Sequence, residues 1–208
     1  MDTLKTYSLL LFASLLILSS CSRAQEKDPE KPASLTDKKV LIVYLSRTQN
    51  TRAVAEIIHK QIGGDLIALE LLNPYPENYK ATVNQVATEN ETGFLPPLKT
   101  KITSIEKYDI IFVGFPTWGM QLPPPIKSFL KQYDLSRKIV VPFNTNAGYG
   151  IGNSFETLKK LCPDSKVLAG FSTQGGKERD GILFVMEGNK EKQTQVAVKD
   201  WLNRFKNL

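Results

Sequence analysis

Histidine and cysteine are nearly absent from this chain. Of its 208 residues one is a histidine, His59, and two are cysteines, Cys21 and Cys162. A single imidazole excludes His-rich metal centres, and no metal ligands are assigned. The Gly-Lys-Ser/Thr end of a Walker A loop is missing, which excludes that type of nucleotide site. Internal repeats are missing too. Long apolar runs are scarce: Leu9 to Leu18 is the longest near the N-terminus, and it is shorter than the roughly 20 residues a membrane-spanning helix needs. Acidic residues are outnumbered, 21 against 27 Lys and Arg, for a formal charge of +6. That surplus would suit acidic partners or anionic membrane surfaces, but a soluble surface with scattered lysines explains it more simply. No nucleic-acid partner is expected.

What is there begins with an export pattern. Lys5 and the free amine precede the apolar run, as in a signal peptide, here assigned to residues 1–20. Leu18-Ser19-Ser20-Cys21 follows directly. It resembles the lipobox of bacterial lipoproteins, in which the cysteine is lipidated and becomes the new N-terminus. An ordinary signal peptide with an incidental cysteine is the alternative. Acyl chains on Cys21, each contributing about 0.8 kcal/mol per buried methylene, would hold the protein on a bacterial envelope membrane, on its periplasmic or surface side. Only Cys162 then remains, and no intramolecular side-chain disulfide can form. Residues 22–39 are charged, contain two prolines and offer one large apolar residue, Leu35. They cannot bury enough surface to offset their ordering entropy, so 21–39 is expected to be a lipidated tether and 40–208 the folded domain.

Within that domain, short β-branched runs alternate with helical patterns. Residues 39–45, 66–71, 109–115, 138–143 and 166–171 each have the continuous apolar character of a strand covered on both faces. Between them, Val54, Ile57, Ile58 and Ile62 share a helical face that Gly63-Gly64 ends, residues 79–90 lack breakers, Ile126, Phe129 and Leu130 follow a proline run, and Phe155, Leu158, Leu161 and Cys162 precede Pro163. Val198, Trp201, Leu202 and Phe205 mark a last amphipathic helix. Pro142 is awkward inside a strand, because it lacks a ladder donor. Residues 172–189 interrupt the repeat, and Ile182 to Met186 are expected to continue the fifth strand beyond an insertion. The alternation implies an α/β fold, a parallel sheet with helices on both faces and right-handed crossovers.

Ligands in such sheets bind beyond the carboxyl ends of the strands. Three post-strand segments there carry chemistry. Ser46-Arg47-Thr48-Gln49-Asn50-Thr51 places hydroxyls and amides at a helix N-terminus, where free N–H groups and the dipole attract a phosphate. A plain cap explains one such residue and not four beside an arginine. Pro116-Thr117-Trp118-Gly119 follows the third strand, and its indole can either stack on a flat ring or belong to the core. Asn144-Thr145-Asn146-Ala147-Gly148-Tyr149-Gly150 follows the fourth strand and has glycines that permit close backbone approach to a ligand; a flexible loop capped by Asn153 or Ser154 is the lesser alternative. Cys162 lies on an apolar helix face and is not expected to be catalytic.

Taken in order, these segments acquire a specific likeness. SRTQNT resembles the Ser-x-Thr-Gly-Asn-Thr phosphate loop of flavodoxins, YDIIFVGFPTWG resembles their third strand and aromatic loop, and FNTNAGYGIGNSFETLKKLCP resembles the later flavin-edge loop and its helix. The likeness runs from residue 40 to about 171. It implies a doubly wound five-stranded sheet of order 2-1-3-4-5 and FMN as cofactor. By the same resemblance Ser46, Thr48, Asn50 and Thr51 would hold the phosphate, Trp118 would pack on the flavin ring, and Asn146 to Gly150 would meet its pyrimidine edge, with Tyr149 as a second stacking partner. The implied role is electron transfer with a redox partner protein or a small-molecule acceptor. An NAD(P)H-dependent flavin or quinone reductase is the enzymatic rival, and a non-redox module that has lost FMN is the other. Gln49 departs from the family pattern, which has glycine there. The basic charge departs as well, since typical flavodoxins are acidic. Catalytic side chains are not assigned, and oligomeric state is left open.

Overall fold

The computed structural model describes residues 38–205. The expected signal peptide and lipidation site, Cys21 included, lie outside the described residues, as does nearly all of the expected tether. Strands β1 (Val40–Tyr44), β2 (Asp65–Ala68), β3 (Ile110–Pro116), β4 (Ile139–Asn146), β5 (Lys166–Val167) and β6 (Phe171–Gln174) alternate with helices α1 (Asn50–Ile62), α2 (Tyr79–Thr92), α3 (Pro124–Gln132) and α4 (Ser154–Leu161), and α5 (Gly188–Leu202) closes the series. All strand pairings of the sheet are parallel, in the order β2-β1-β3-β4-β5, with β6 also against β4.

The period-2 pattern explains the layers. Val40, Ile42 and Tyr44 of β1 and Ile110 and Phe112 of β3 point to one face and meet Val54 and Ile58 of α1 and Val198, Trp201 and Leu202 of α5. Leu41, Val43, Ile111, Val113 and Phe115 point to the other and meet Ile126 and Phe129 of α3 and Leu158 of α4. Most of these side chains are fully buried, each worth roughly 1.5–3 kcal/mol of transfer free energy. Trp201 is a core residue: its indole N–H donates to Ala169 O at 2.9 Å and its ring meets Phe112 edge-on.

The fifth position of the sheet differs from the sequence expectation in an instructive way. The strand starts at Lys166 but breaks after Val167 and resumes at Phe171. Lys166–Val167 pair with Ile139–Val140, and Phe171 pairs with Phe143. Three residues therefore oppose two, Val141 and Pro142, across the break. Val140 O accepts the Leu168 N–H, so in a parallel strand the missing N–H of Pro142 faces this same neighbour. The ladder loses its donor where the partner strand bulges. The continuation of the fifth strand is thus Phe171–Gln174. The expected continuation at Ile182 to Met186 is not a strand. Gly175 N–H donates to Asn146 O as the last rung. The chain then leaves the sheet, and Ile182, Leu183 and Phe184 are 50, 53 and 42% exposed.

The fourth strand also runs three residues beyond its expected end, so Asn144, Thr145 and Asn146 are strand rather than loop. Polar side chains suggested a loop, but these are satisfied inside the sheet end. Asn144 is fully buried and donates to Phe115 O and Thr117 Oγ1, both at 3.0 Å.

Candidate functional site

The carboxyl ends of β1, β3, β4 and β6 open onto a cleft of about 560 Å³. Its floor is the turn between β1 and α1. Gln49 precedes the helix with φ 65° and ψ −7°, the left-handed region, and its side chain makes no cap. No acidic residue occupies the first turn of α1, so the positive end of the helix dipole is not neutralised there. Ser46 Oγ accepts the Arg52 N–H at 3.2 Å, Thr48 Oγ1 accepts from the Asn50 amide at 2.9 Å, and the Thr51 and Thr145 hydroxyls meet at 2.8 Å. Hydroxyl groups and the start of a helix therefore share one small volume. A phosphate fits this donor set.

Gln49 stands in the conformation that costs an L-residue about 1–2 kcal/mol and a glycine nothing. Gln49→Gly is expected to relieve that strain. Glycine gains freedom in the unfolded chain, so the net stabilisation should be about 0.5–1 kcal/mol, read as a raised urea midpoint at unchanged slope.

Arg47 lines the cleft, yet each of its three guanidinium nitrogens already has a protein partner. Nε donates to both Glu178 carboxylate oxygens at 2.9 and 3.0 Å, Nη1 to Pro76 O and Nη2 to Glu77 O. It binds three separate segments together around the turn. Asn50, 2% exposed, is a second fastener: its Nδ2 donates to Leu183 O at 2.6 Å and its Oδ1 accepts the Val185 N–H at 3.1 Å. These two residues explain what holds the excursion after β6, since its own backbone makes few bonds.

Trp118 forms one wall. A tight turn carries it: Gln121 N–H donates to Trp118 O at 3.0 Å, with Gly119 at φ 56° and Met120 at φ 58° between them, the positive-φ pair of a type I′ turn. The indole is half-buried and meets Tyr75 at right angles, with centroids 5.3 Å apart. The Tyr75 hydroxyl donates to buried Glu89, whose other oxygen accepts from Gln85, and burial pushes the phenol well above its usual range. Trp118 is therefore braced by Tyr75 while it also lines the cleft. Of the two readings the sequence left open, cleft wall describes it better than core.

The β4–α4 loop supplies the next wall. Asn146 Oδ1 accepts the N–H groups of Gly148 and Gly150, which shapes the turn through Ala147 and Tyr149. Thr117 Oγ1 donates to Gly150 O, and Asn153 N–H to Met120 O, so this loop and the tryptophan turn are joined. Gly152 makes that junction possible: at φ 55°, a Cβ there would stand 2.0 Å from Met120 O. Thr145, Asn146, Ala147, Tyr149 and Gly150 reach the cleft surface, whereas Asn144 and Gly148 support it from behind.

Two parts of the cleft have no counterpart among the residues singled out from sequence. Thr82, Val83, Val86 and Ala87 of α2 form a wall, and Lys177, Glu178 and Arg179 form a rim. The signal for the rim was a run of charges after Gly175-Gly176 at the carboxyl end of a strand. The α2 wall left no signal, because its exposed apolar residues look like an imperfect core face. Elsewhere, Cys162 is buried and its thiol is pushed up to about 11 by desolvation, which keeps it protonated at neutral pH. No cluster of three metal-ligating side chains occurs among the described residues.

Comparisons with known proteins agree with this geometry. Residues 39–188 match the sequence model of a flavodoxin family. Flavodoxin from Nostoc sp. (strain PCC 7120 / SAG 25.82 / UTEX 2576) is 22% identical over 188 residues, covering 81% of this chain and 96% of the relative. A crystal structure from Bacteroides eggerthii DSM 20697, described as that of a flavoprotein, superposes with a TM-score of 0.65 at 28% identity, covering 81% of this chain and 98% of the other. The fold is shared as well with a flavoprotein in complex with FMN from Lactobacillus acidophilus NCFM, with a TM-score of 0.60, 24% identity and coverage of 70% and 98%. With a parallel sheet of order 2-1-3-4-5, three ligand loops in family order and a family match over most of its length, this chain belongs to the flavodoxin family.

Proposed function

We propose that the cleft binds FMN and that the protein is an electron carrier of the bacterial cell envelope. The observation that carries the reading is the pairing, in one cleft, of an acid-free helix start lined with hydroxyls and an indole braced by Tyr75. The FMN complex of the related Lactobacillus fold supports the same choice of cofactor. FMN supplies the redox chemistry when bound, and the protein positions and tunes it. Ser46, Thr48, Asn50, Thr51 and the first N–H groups of α1 hold the phosphate. Trp118 flanks the ring and excludes water from it. The backbone from Asn146 to Gly150 meets the pyrimidine edge, and Tyr149 closes the cleft from its rim.

The test is a titration of cofactor-free protein with FMN and with riboflavin. FMN should bind at least tenfold more tightly, because riboflavin lacks the phosphate that the α1 turn would hold. Protein that takes up neither flavin overturns the reading.

The envelope location rests on the sequence alone. Cys21→Ser should release the protein from the membrane fraction into the soluble fraction of the native host, since acyl chains on that residue are the proposed anchor. Retention of the variant in the membrane fraction counts against lipidation.

A further inference from the structure

Tyr149, 57% exposed, stands between two cations at the rim of the cleft. Lys177 Nζ lies 5.5 Å from its ring centroid. The Arg179 guanidinium lies 5.9 Å from the same centroid, and its Nη2 donates to the phenol oxygen at 3.0 Å. Both side chains line the cleft, together with Gly150 and Asn146. Asp180 pairs with both, at 2.7 Å from Lys177 and 3.0 Å from Arg179, so the three together keep one net positive charge. The neighbouring carboxylate, Glu178, does not cancel it, because Arg47 already holds both of its oxygens. The remaining carboxylate of the lining, Glu91, belongs to α2. The local field shows in the phenol of Tyr149, which is held below its usual range by the Lys177 ammonium first and by the charge of Arg179. This rim favours anions.

We propose that Lys177 and Arg179 stabilise the negative charge of two-electron-reduced FMN, raising its reduction potential and fitting the protein to two-electron partners such as quinones or hydride donors. The proposal rests on the FMN reading above. An oxidised flavin ring that takes up two electrons and one proton ends with one negative charge, spread over its pyrimidine edge. Asn146 to Gly150, the segment proposed to meet that edge, is the segment the two cations adjoin. Attraction between a unit charge and a net positive rim at this range is partly screened by water, so the expected effect is moderate. It acts on the reduced form and hardly on the neutral oxidised one, and that difference in affinity is what shifts a potential.

Full-length protein, loaded with FMN, is reduced by dithionite in the presence of reference dyes, and oxidised and reduced FMN affinities are compared. Lys177→Met with Arg179→Met keeps much of the aliphatic stems and removes the charge. It should bind reduced FMN about tenfold more weakly while oxidised binding changes less than twofold, which for a two-electron couple is a fall of about 30 mV. Asp180→Asn removes the counter-charge and should shift the potential in the opposite direction. All three residues are exposed or partly exposed, so the fold should tolerate both variants. An unchanged potential in the double variant with FMN still bound overturns the proposal and leaves the FMN reading standing, as does an Asp180→Asn shift of the same sign as the double variant. Wild-type protein that binds no FMN overturns both.

Discussion

Replacing Trp118 with alanine should weaken FMN binding about 30- to 100-fold and leave the fold in place. The indole is half-buried, lines the cleft and packs at right angles to Tyr75. Its truncation removes one apolar wall from a bound ring. Lost burial together with lost stacking amounts to about 2–3 kcal/mol, and each 1.4 kcal/mol is about tenfold in affinity. The stability cost should be smaller, about 1 kcal/mol, because Trp118 is a peripheral member of its apolar cluster rather than a buried one. Fluorescence titration with FMN and urea unfolding separate the two effects. Trp118→Phe should recover part of the affinity. An affinity unchanged by Trp118→Ala would mean that the ring lies elsewhere in the cleft.

Asn50→Ala should destabilise the protein by about 2–4 kcal/mol and weaken FMN binding as well. The Asn50 amide bonds Leu183 O, Val185 N and Thr48 Oγ1. These three bonds are part-buried, and each contributes about 0.5–1.5 kcal/mol. For a domain of this size the loss corresponds to a fall in Tm of roughly 5–15 °C. Hydrogen exchange adds a spatial readout: the Val185 amide should lose protection first, while amides of β1 and β3 exchange as before. Uniform loss of protection, or a Tm change under about 2 °C, would mean that Asn50 is not the fastener of this segment. Asn50→Asp distinguishes geometry from charge, since the carboxylate still accepts from Val185 but repels both Leu183 O and an incoming phosphate.

Both predictions concern contacts that span long stretches of chain, and this is where sequence and structure part. The strands were legible because residues such as Val40 to Val43 and Ile110 to Val113 must be apolar on both sides to sit between two helical layers. The loops that line the cleft were legible because hydroxyls, amides and glycines crowd the strand ends for reasons of local chemistry: a helix start attracts anions, and a tight turn needs positive φ. Even Gln49, which departs from the family pattern, adopts the left-handed conformation that makes glycine usual there.

Local composition misled where a polar residue finds its partner far away. Asn144 to Asn146 look like loop but end a strand, since Phe115 and Thr117 of the neighbouring strand and turn satisfy Asn144. Ile182 to Met186 look like strand but run outside the sheet, held by a side chain 133 to 135 residues earlier. Arg47 looks like a phosphate ligand and is locked to Glu178, 131 residues on. By itself, then, the sequence determined the alternation of strands and helices, the burial of the sheet and the polar turn that opens α1, because each follows from periodicity or from chemistry within a few residues. Only the tertiary structure decided which side chains face the cleft, that α2 walls it and that Lys177 and Arg179 rim it. Those outcomes depend on pairings across about 30 to 135 residues, which no local pattern encodes.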